Sequence, residues 1–277
     1  MIGAFFLAVV WGCTRDPTTV RIDPFCHRQP ASAIVVFDDA NLETAIRNAL
    51  AVGAQQALTC GLLETLTTFT AGNAGIASLN GIENLTRLTA LWIRANSITD
   101  ISPLSGLVGL TSLNLADNSI TDIAALGGLR RLTFLAINRN RGIVDISALS
   151  ELTELTGTLW MHGNSVTDIS ALGKLTNLTA LNVWDNSITD LRALEGLTGL
   201  TTVRLHINSI TDLDGLGGLT NLEIVSLHTN PDLSDIQPLL DNPGLGDGDD
   251  VLLQATNVSC ADVDALRAKG VGVISDC

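Results

Sequence analysis

The side chains best suited to chemistry in this sequence are histidines that recur at a fixed spacing. His206 and His228 lie 22 residues apart, and Asp185 precedes them. If that spacing is one structural repeat, the two imidazoles lie about 5 Å apart on neighbouring strands, with the carboxylate one strand away. Such a group could hold a divalent metal ion. Stacked histidines are more often solvated or polar contact residues, so we predict no metal site.

Catalytic motifs give no support for an enzyme. The chain contains no G-x-S-x-G, H-E-x-x-H or phosphate-binding P-loop pattern. The segment GLGDGDD at 244–250 holds only part of a calcium-loop pattern and is more typical of a turn before a strand. We therefore predict no catalytic activity and no cofactor. The formal net charge of −14 argues against nucleic acid as a partner, because phosphates need clustered Lys and Arg.

A repeat of 22 residues supplies the elements that must position these side chains. Two clear units are LTSLNLADNSITDIAALGGLRR at 110–131 and LTALNVWDNSITDLRALEGLTG at 178–199. Each unit carries one asparagine, and these are Asn96, Asn118, Asn140, Asn164, Asn186, Asn208 and Asn230. One step is 24 rather than 22 residues, because extra residues stand near Gly142 and Gly157. Seven copies in register predict a stacked repeat structure.

Each repeat contains an L-x-L segment, which predicts one short strand. Alternating strand residues point to opposite faces, so Leu91 and Ile93 point inward while Trp92 and Arg94 point outward. Neighbouring units then stack their strands into a parallel sheet. The asparagine amide donates and accepts together, which satisfies buried backbone groups of adjacent turns. A Thr-Asp pair follows, and its Asp is suited to cap a short helical turn.

The shared pattern L-x-x-L-x-L-x-x-N-x-I-x-D-I-x-x-L-x-x-L resembles the leucine-rich repeat, in the 22-residue form of internalin-type bacterial surface proteins. The resemblance covers residues 34–277. It implies an α/β fold, a leucine-rich-repeat solenoid with a curved parallel sheet on the concave face and short helical or irregular segments on the convex face. The implied units are a helical N-terminal cap over 34–65, repeats over 66–258 and a disulfide-closed C-terminal cap over 259–277.

Both ends of the array carry segments suited to cover an open core. Residues 39–50 place apolar side chains at the spacing of an amphipathic helix. At the other end, residues 251–253 predict the last strand. Ser259 then opens a short helix, and residues 271–275 are extended. These terminal segments lack the repeated asparagine, as capping repeats do.

The N-terminus carries a targeting signal. Residues 2–12 form an uncharged apolar run, which is too short to cross a membrane core about 30 Å thick and is typical of a signal peptide. The ending VWGC at 10–13 resembles a bacterial lipobox. It implies a lipoprotein signal peptide over 1–12, lipidation of Cys13 and a tether over 13–33. We expect a protein anchored in the bacterial envelope only through that lipid, at the outer membrane; plain secretion is the alternative.

Four further cysteines, Cys26, Cys60, Cys260 and Cys277, allow three pairings. About eight strand spacings separate the two caps by roughly 40 Å. A disulfide needs Cα atoms within about 7 Å. Cys60 therefore cannot reach Cys260 or Cys277, and complete pairing requires Cys26–Cys60 and Cys260–Cys277.

The outward positions of the L-x-L strands form a continuous concave surface rich in aromatic, histidine and arginine side chains. Exposed aromatic side chains are typical of a contact patch, and internalin-type proteins, which this chain resembles, bind protein partners through such side chains. The predicted partner-binding residues are Trp92, Arg94, Asn138, Arg139, Trp160, His162, Trp184, Asp185, Arg204, His206 and His228. We expect a monomeric module that binds a protein or peptide. The alternatives are a structural envelope protein without a ligand and a carbohydrate-binding protein that uses the concave tryptophans.

Overall fold

The structure, a computed structural model, describes residues 26–277, except for the side chain of His27. The predicted signal peptide over 1–12, the lipidation of Cys13 and most of the tether over 13–33 lie outside the described residues. Within 26–277, no helix combines the length and the apolar character needed to cross a membrane.

Ten short parallel strands form one sheet and follow one another in chain order. They are β1 Thr68–Thr70, β2 Ala90–Trp92, β3 Ser112–Asn114, β4 Phe134–Ala136, β5 Gly157–Trp160, β6 Leu178–Asn182, β7 Thr202–Arg204, β8 Ile224–Ser226, β9 Asp250–Leu252 and β10 Gly272–Ile274. Equivalent repeat positions are in register, so Leu91 aligns with Leu113 and Leu113 with Leu135. All three leucines are buried in the core. The predicted leucine-rich-repeat solenoid is confirmed.

A short 3₁₀ helix forms the convex return of most repeats. These helices span Ile82–Asn84, Ser102–Leu104, Ala124–Gly128, Ser147–Glu151, Ser170–Lys174, Arg192–Leu194 and Asp214–Leu216. From the second one onward, the helix begins two residues after the repeated aspartate. The Ser102 N–H, for example, donates to Asp100 Oδ1 at 2.7 Å and so gains a partner that a helix start lacks. Leu104 then fills the core from the convex side.

The seven repeat asparagines form a ladder between successive turns. The Val166 N–H donates to Asn186 Oδ1 at 3.0 Å, while Asn186 Nδ2 donates to the carbonyl oxygens of Met161 at 3.2 Å and Val183 at 3.0 Å. Corresponding bonds, to the preceding repeat and within the same repeat, are made by Asn96, Asn118, Asn140, Asn164, Asn208 and Asn230. Each amide therefore connects the backbones of two neighbouring repeats.

The 24-residue unit makes the stack irregular at its centre. β4 and β5 pair at one position, Ala136 with Trp160. Gly157, whose φ is +64°, lies at a shift of register between β5 and β6. Asn164 keeps the asparagine ladder connected across this irregular interface, because its Oδ1 accepts from the Asn140 N–H at 3.3 Å. One extra residue lies in the turn at Gly142 and the other at the start of β5, and beyond it Leu159 and Trp160 keep the inward and outward pattern.

After each of the strands β2 to β8, a left-handed residue lies three positions beyond the strand end and one position before the ladder asparagine. The non-glycine residues at this position have φ between 55° and 58°, and they are Ala95, Asp117, Arg139, Asp185, Ile207 and Thr229. Left-handed backbone costs an L-residue roughly 1–2 kcal/mol, which the hydrogen bonds of the adjacent asparagine offset. The predicted site residues Arg139 and Asp185 therefore lie on the turns at the edge of the sheet and not within strands.

Helices cover both ends of the stack. The N-terminal cap contains α1 Ala40–Ala49 and α2 Cys60–Leu63. Asp39 caps α1 by accepting from the Asn41 and Leu42 N–H groups, and the buried face of α1 includes Leu42. The other end holds α3 Gln237–Asp241 and α4 Cys260–Ala268.

The sheet ends one strand later than predicted. The sequence predicted the last strand at 251–253, but the extended segment after α4 forms β10 beside β9, with Val273 aligned to Val251. An edge strand leaves a row of unpaired backbone groups, and the returning chain pairs with those of β9.

Both predicted disulfides are present. Cys26 pairs with Cys60 at a Cα–Cα distance of 5.3 Å, and Cys260 pairs with Cys277 at 5.4 Å. The first bond joins Cys26, where the described residues begin, to the start of α2. The second joins the start of α4 to Cys277, which lies beyond β10. Each bond therefore closes one cap.

Candidate binding face

The concave face consists of the outward residues of β2 to β8 and of the second and third positions after each of these strands. Because successive repeats are nearly identical, equivalent outward residues stack at the strand spacing of about 4.8 Å. Side chains separated by one repeat in the sequence are therefore neighbours on this surface. His162, Trp184, His206 and His228 occupy one such column.

Five aromatic and imidazole rings form a continuous stack on this face. Trp160 meets His162 edge to face, with ring centroids 6.2 Å apart. His162 lies parallel to Trp184 at 4.5 Å, and Trp184 lies parallel to His206 at 5.2 Å. His206 in turn stacks on His228 at 4.2 Å. Five of the predicted partner-binding residues thus come together, and we call them the ring stack.

Burial keeps the imidazoles of the ring stack uncharged. The side chain of His162 is buried, and desolvation lowers its pKa, with a further contribution from the positive charge of Arg139. Desolvation, followed by the charges of His228 and Arg204, lowers the pKa of His206 to about 4. Desolvation also lowers the pKa of His228. At neutral pH the stack is therefore a neutral, polarisable surface.

The ring stack is poorly arranged for a metal ion. Parallel imidazoles direct their nitrogens side by side and not toward one point. His206 Nδ1 lies 3.0 Å from Ser226 Oγ, and His228 Nδ1 lies 3.2 Å from Thr229 Oγ1, so both nitrogens already have polar partners. In the part of the chain that the structure describes, no three His, Cys, Asp or Glu side chains converge on a metal position.

Trp92 lies apart from the ring stack, in a pair with Phe134. Their rings are stacked with centroids 6.0 Å apart, and Trp92 Nε1 donates to Ser112 Oγ at 3.0 Å. The sequence prediction omits Phe134, although its position directly before the inward Leu135 is a signal that it points outward. Trp92 nevertheless keeps 45 % of its surface exposed.

Three charged side chains lie between the ring stack and the pair formed by Trp92 and Phe134. Arg94 Nη2 lies 3.3 Å from Asp117 Oδ2, and Arg139 Nη1 lies 3.7 Å from Asp117 Oδ1. Asp117 joins the two predicted arginines, and the sequence prediction omits it as a site residue. These three side chains border a cavity of about 290 Å³, together with Phe134, Trp160 and His162.

Two buried polar side chains on this face lack complete hydrogen bonding within the described residues. Asn138 Nδ2 lies 3.3 Å from His162 Nε2, but His162 Nδ1 has no hydrogen-bond partner. The side chain of Asn182 is 3 % exposed, and its Oδ1 also lacks a partner. Arg204, on β7, is half-buried beside the ring stack.

The comparisons with protein families and with solved structures agree on one family. A model of leucine-rich repeats in two copies matches residues 108–151, 158–196 and 198–241. Curated protein sequences give no match. Among solved structures, the chain is similar to internalin C2 from Listeria monocytogenes at 30 % identity and a TM-score of 0.70, and the match covers 86 % of this chain and 95 % of that one.

Two further structures share the architecture. The functional domain of InlJ from Listeria monocytogenes, which includes a cysteine ladder, is 25 % identical with a TM-score of 0.53, over 80 % of this chain and 56 % of that one. A leucine-rich-repeat protein of Leptospira interrogans is 19 % identical with a TM-score of 0.57, over 72 % and 57 % of the two chains, and shares the fold. The repeat pattern, the solenoid and the match to internalin C2 together show that this chain belongs to the internalin-type leucine-rich-repeat proteins.

Proposed function

We propose that this chain is a cell-surface module that recognises a protein or peptide through its concave face. The ring stack is the observation that carries the proposal. The asparagine ladder and the leucine core do not require rings at these outward positions, and the same solenoid forms with small residues such as Ala116 and Ala136 there. Rigid aromatic side chains provide contact area with little loss of conformational entropy on binding.

The leucine-rich-repeat fold of the internalins is typical of protein-interaction modules, which favours binding over catalysis. A cavity of about 360 Å³ beside Cys26 and Cys60 in the N-terminal cap is somewhat larger than the concave one. We prefer the concave face as the site, because rings, arginines and unpaired buried polar atoms meet there.

The orientation of the tryptophans argues against the carbohydrate alternative. Sugar-binding tryptophans offer an open ring face to the ligand, whereas both faces of Trp184 are covered, one by His162 and the other by His206. Trp92 has one ring face stacked on Phe134. A purely structural envelope protein remains the second candidate, and it predicts that nothing binds this face.

We also propose where the protein acts. The lipobox-like ending at Cys13 supports attachment to the bacterial envelope through a lipid, at the outer membrane, with secretion as the alternative. The cap over 34–65, the repeats over 66–258 and the cap over 259–277 would then form a monomeric domain carried on a tether over 13–33.

Trp184→Ala tests the proposed binding face. A partner recovered from envelope extracts by the wild-type chain should bind this variant at least about thirtyfold more weakly, because loss of a central aromatic anchor costs 2 kcal/mol or more. The loss of two ring contacts should lower the stability by roughly 1–3 kcal/mol without unfolding the solenoid, which circular dichroism can check.

Glu195→Ala is the matched control, because Glu195 lies on the convex side beside the Arg192–Leu194 helix. It should leave the affinity unchanged. If Trp184→Ala stays folded and binds as well as the wild type, the concave face is not the binding site. If the variant unfolds, the ring belongs to the core and the proposal fails.

A further inference from the structure

The cavity between Phe134 and Trp160 differs from the rest of the molecule in charge. The chain as a whole carries a formal net charge of −14. Around this cavity, two arginines share a single carboxylate, that of Asp117, at 3.3 Å and 3.7 Å. The local charge is therefore positive within a strongly negative molecule.

Hydrogen-bond donors outnumber acceptors at the cavity. The side chains of Arg94 and Arg139 are 61 % and 54 % exposed, so most of their guanidinium N–H groups remain available. The neutral imidazole of His162 has one nitrogen beside Asn138 Nδ2 and one, Nδ1, without a partner. Because an amide N–H is a donor, Nε2 accepts this bond and the proton lies on Nδ1. That nitrogen is enclosed by protein, so the two arginines supply the accessible donors at the cavity.

We propose that this cavity receives a carboxylate of the partner, carried by an aspartate or glutamate side chain. The proposal rests on the concave face being the binding face and names the chemistry that it selects. Guanidinium groups bind carboxylates with two parallel hydrogen bonds. The buried Ala116 and Ala136, which also line the cavity, with the ring of Phe134, leave room for the methylene stem of the incoming side chain.

In the absence of a partner, the Asp117 carboxylate pairs with both Arg94 and Arg139. Its contact with Arg139 is 3.7 Å long, which is too long for a good hydrogen bond. An incoming carboxylate can therefore bind Arg139 by competing with a weak internal contact. A cationic group would instead meet two guanidinium groups and find one carboxylate that is already shared.

Removal of Asp117, the internal competitor, tests the proposal, because it should strengthen the binding of a carboxylate, whereas removal of the arginines should abolish it. The probes are N-acetylglutamate amide and its neutral isostere N-acetylglutamine amide, titrated into the full chain while NMR follows the Arg side-chain N–H and His162 ring signals. The glutamate probe should bind at least about fivefold more tightly than the glutamine probe, because only it forms charged hydrogen bonds. Asp117→Asn should tighten glutamate binding by roughly threefold to tenfold, and Arg94→Gln with Arg139→Gln should abolish it.

Several outcomes would overturn this proposal. They are equal binding of the two probes, no shift by the glutamate probe, weaker glutamate binding in Asp117→Asn, and unchanged binding in the double arginine variant. Binding of the partner recovered from envelope extracts distinguishes the proposed binding face from the proposed carboxylate site. If Trp184→Ala weakens partner binding while the double arginine variant does not, the concave face is the binding site and the carboxylate site is wrong.

Discussion

At the scale of single residues, the ring stack opposes the protonation of His206. Its imidazole faces His228 at 4.2 Å and Trp184 at 5.2 Å, with Arg204, His162 and Asp185 as the other charged or titratable neighbours. The folded protein lowers the pKa of His206 to about 4, from an ordinary value of 6.5. Protonation would place a charge in a desolvated position near His228 and Arg204, so the folded structure favours the neutral imidazole.

We therefore predict that the stability falls as the pH falls from about 6.5 toward 4. A lowered folded pKa means that the unfolded chain takes up the proton first, so the full stability is present above pH 6.5. For this partly exposed ring, we expect a loss of about 1 kcal/mol at pH 5, after allowance for solvent screening. Urea midpoints at pH 7 and pH 5 measure it, and NMR should place the titration of His206 near pH 4.

His206→Phe is the control for the pH prediction, since phenylalanine keeps a ring in the stack and cannot titrate. The difference in urea midpoint between pH 7 and pH 5 should be smaller in this variant than in the wild type. An equal difference in both proteins would show that carboxylates or the other histidines cause the pH dependence.

At the scale of elements, the asparagine ladder holds successive turns together. Solenoid stability is approximately a sum of terms for each repeat and each interface between neighbours. Asn186 bonds across one interface, to Val166 and Met161, and within its own turn, to Val183. One side chain thus serves two adjacent repeats.

Asn186→Leu should lower the free energy of unfolding by roughly 1–3 kcal/mol. The substitution leaves the Val166 N–H without a partner, at about 1–3 kcal/mol for a group that water cannot reach. The Met161 carbonyl still accepts from Asn164 Nδ2, and the Val183 carbonyl still accepts from Asn208 Nδ2. Denaturant unfolding followed by circular dichroism measures the change.

Asn182→Leu is the matched control, four residues earlier on the same repeat. Asn182 is buried, whereas Asn186 is half-buried, but Asn182 Oδ1 has no partner among the described residues, so leucine should be neutral or stabilising. Equal destabilisation by the two substitutions would contradict the role that we assign to the ladder.

At the scale of the whole molecule, we propose that a single attachment point decides where the concave face is displayed. The proposed attachment is a lipid on Cys13, which precedes the described residues. Cys13→Ser should move the protein from the membrane fraction to the soluble fraction and remove the mass of a diacylglyceryl group. Mass spectrometry is the primary measurement, because it detects the lipid itself in whichever fraction the protein is found. A wild-type protein found without the lipid mass would contradict the lipid anchor.

Much of the fold could be predicted from the repeat. The 22-residue period gave the solenoid, the L-x-L pattern gave the buried leucines such as Leu91 and Leu113, and the length of the array selected the disulfide partners of Cys60 and Cys260. These features depend on periodicity and on chain length, which are properties of the sequence itself.

The candidate site was predictable in its location but not in its contacts. Repeat spacing brought His162, Trp184 and His206 into one column, yet only the packed structure decided that their rings lie parallel, that His162 is buried and that Trp92 stacks on Phe134. Ring orientation depends on side-chain torsions set by neighbours on adjacent strands. Backbone geometry likewise decided the left-handed turns at Arg139 and Asp185. Pairing with the free edge of β9 decided the added strand β10. The sequence of a single repeat carries no separate signal for either feature.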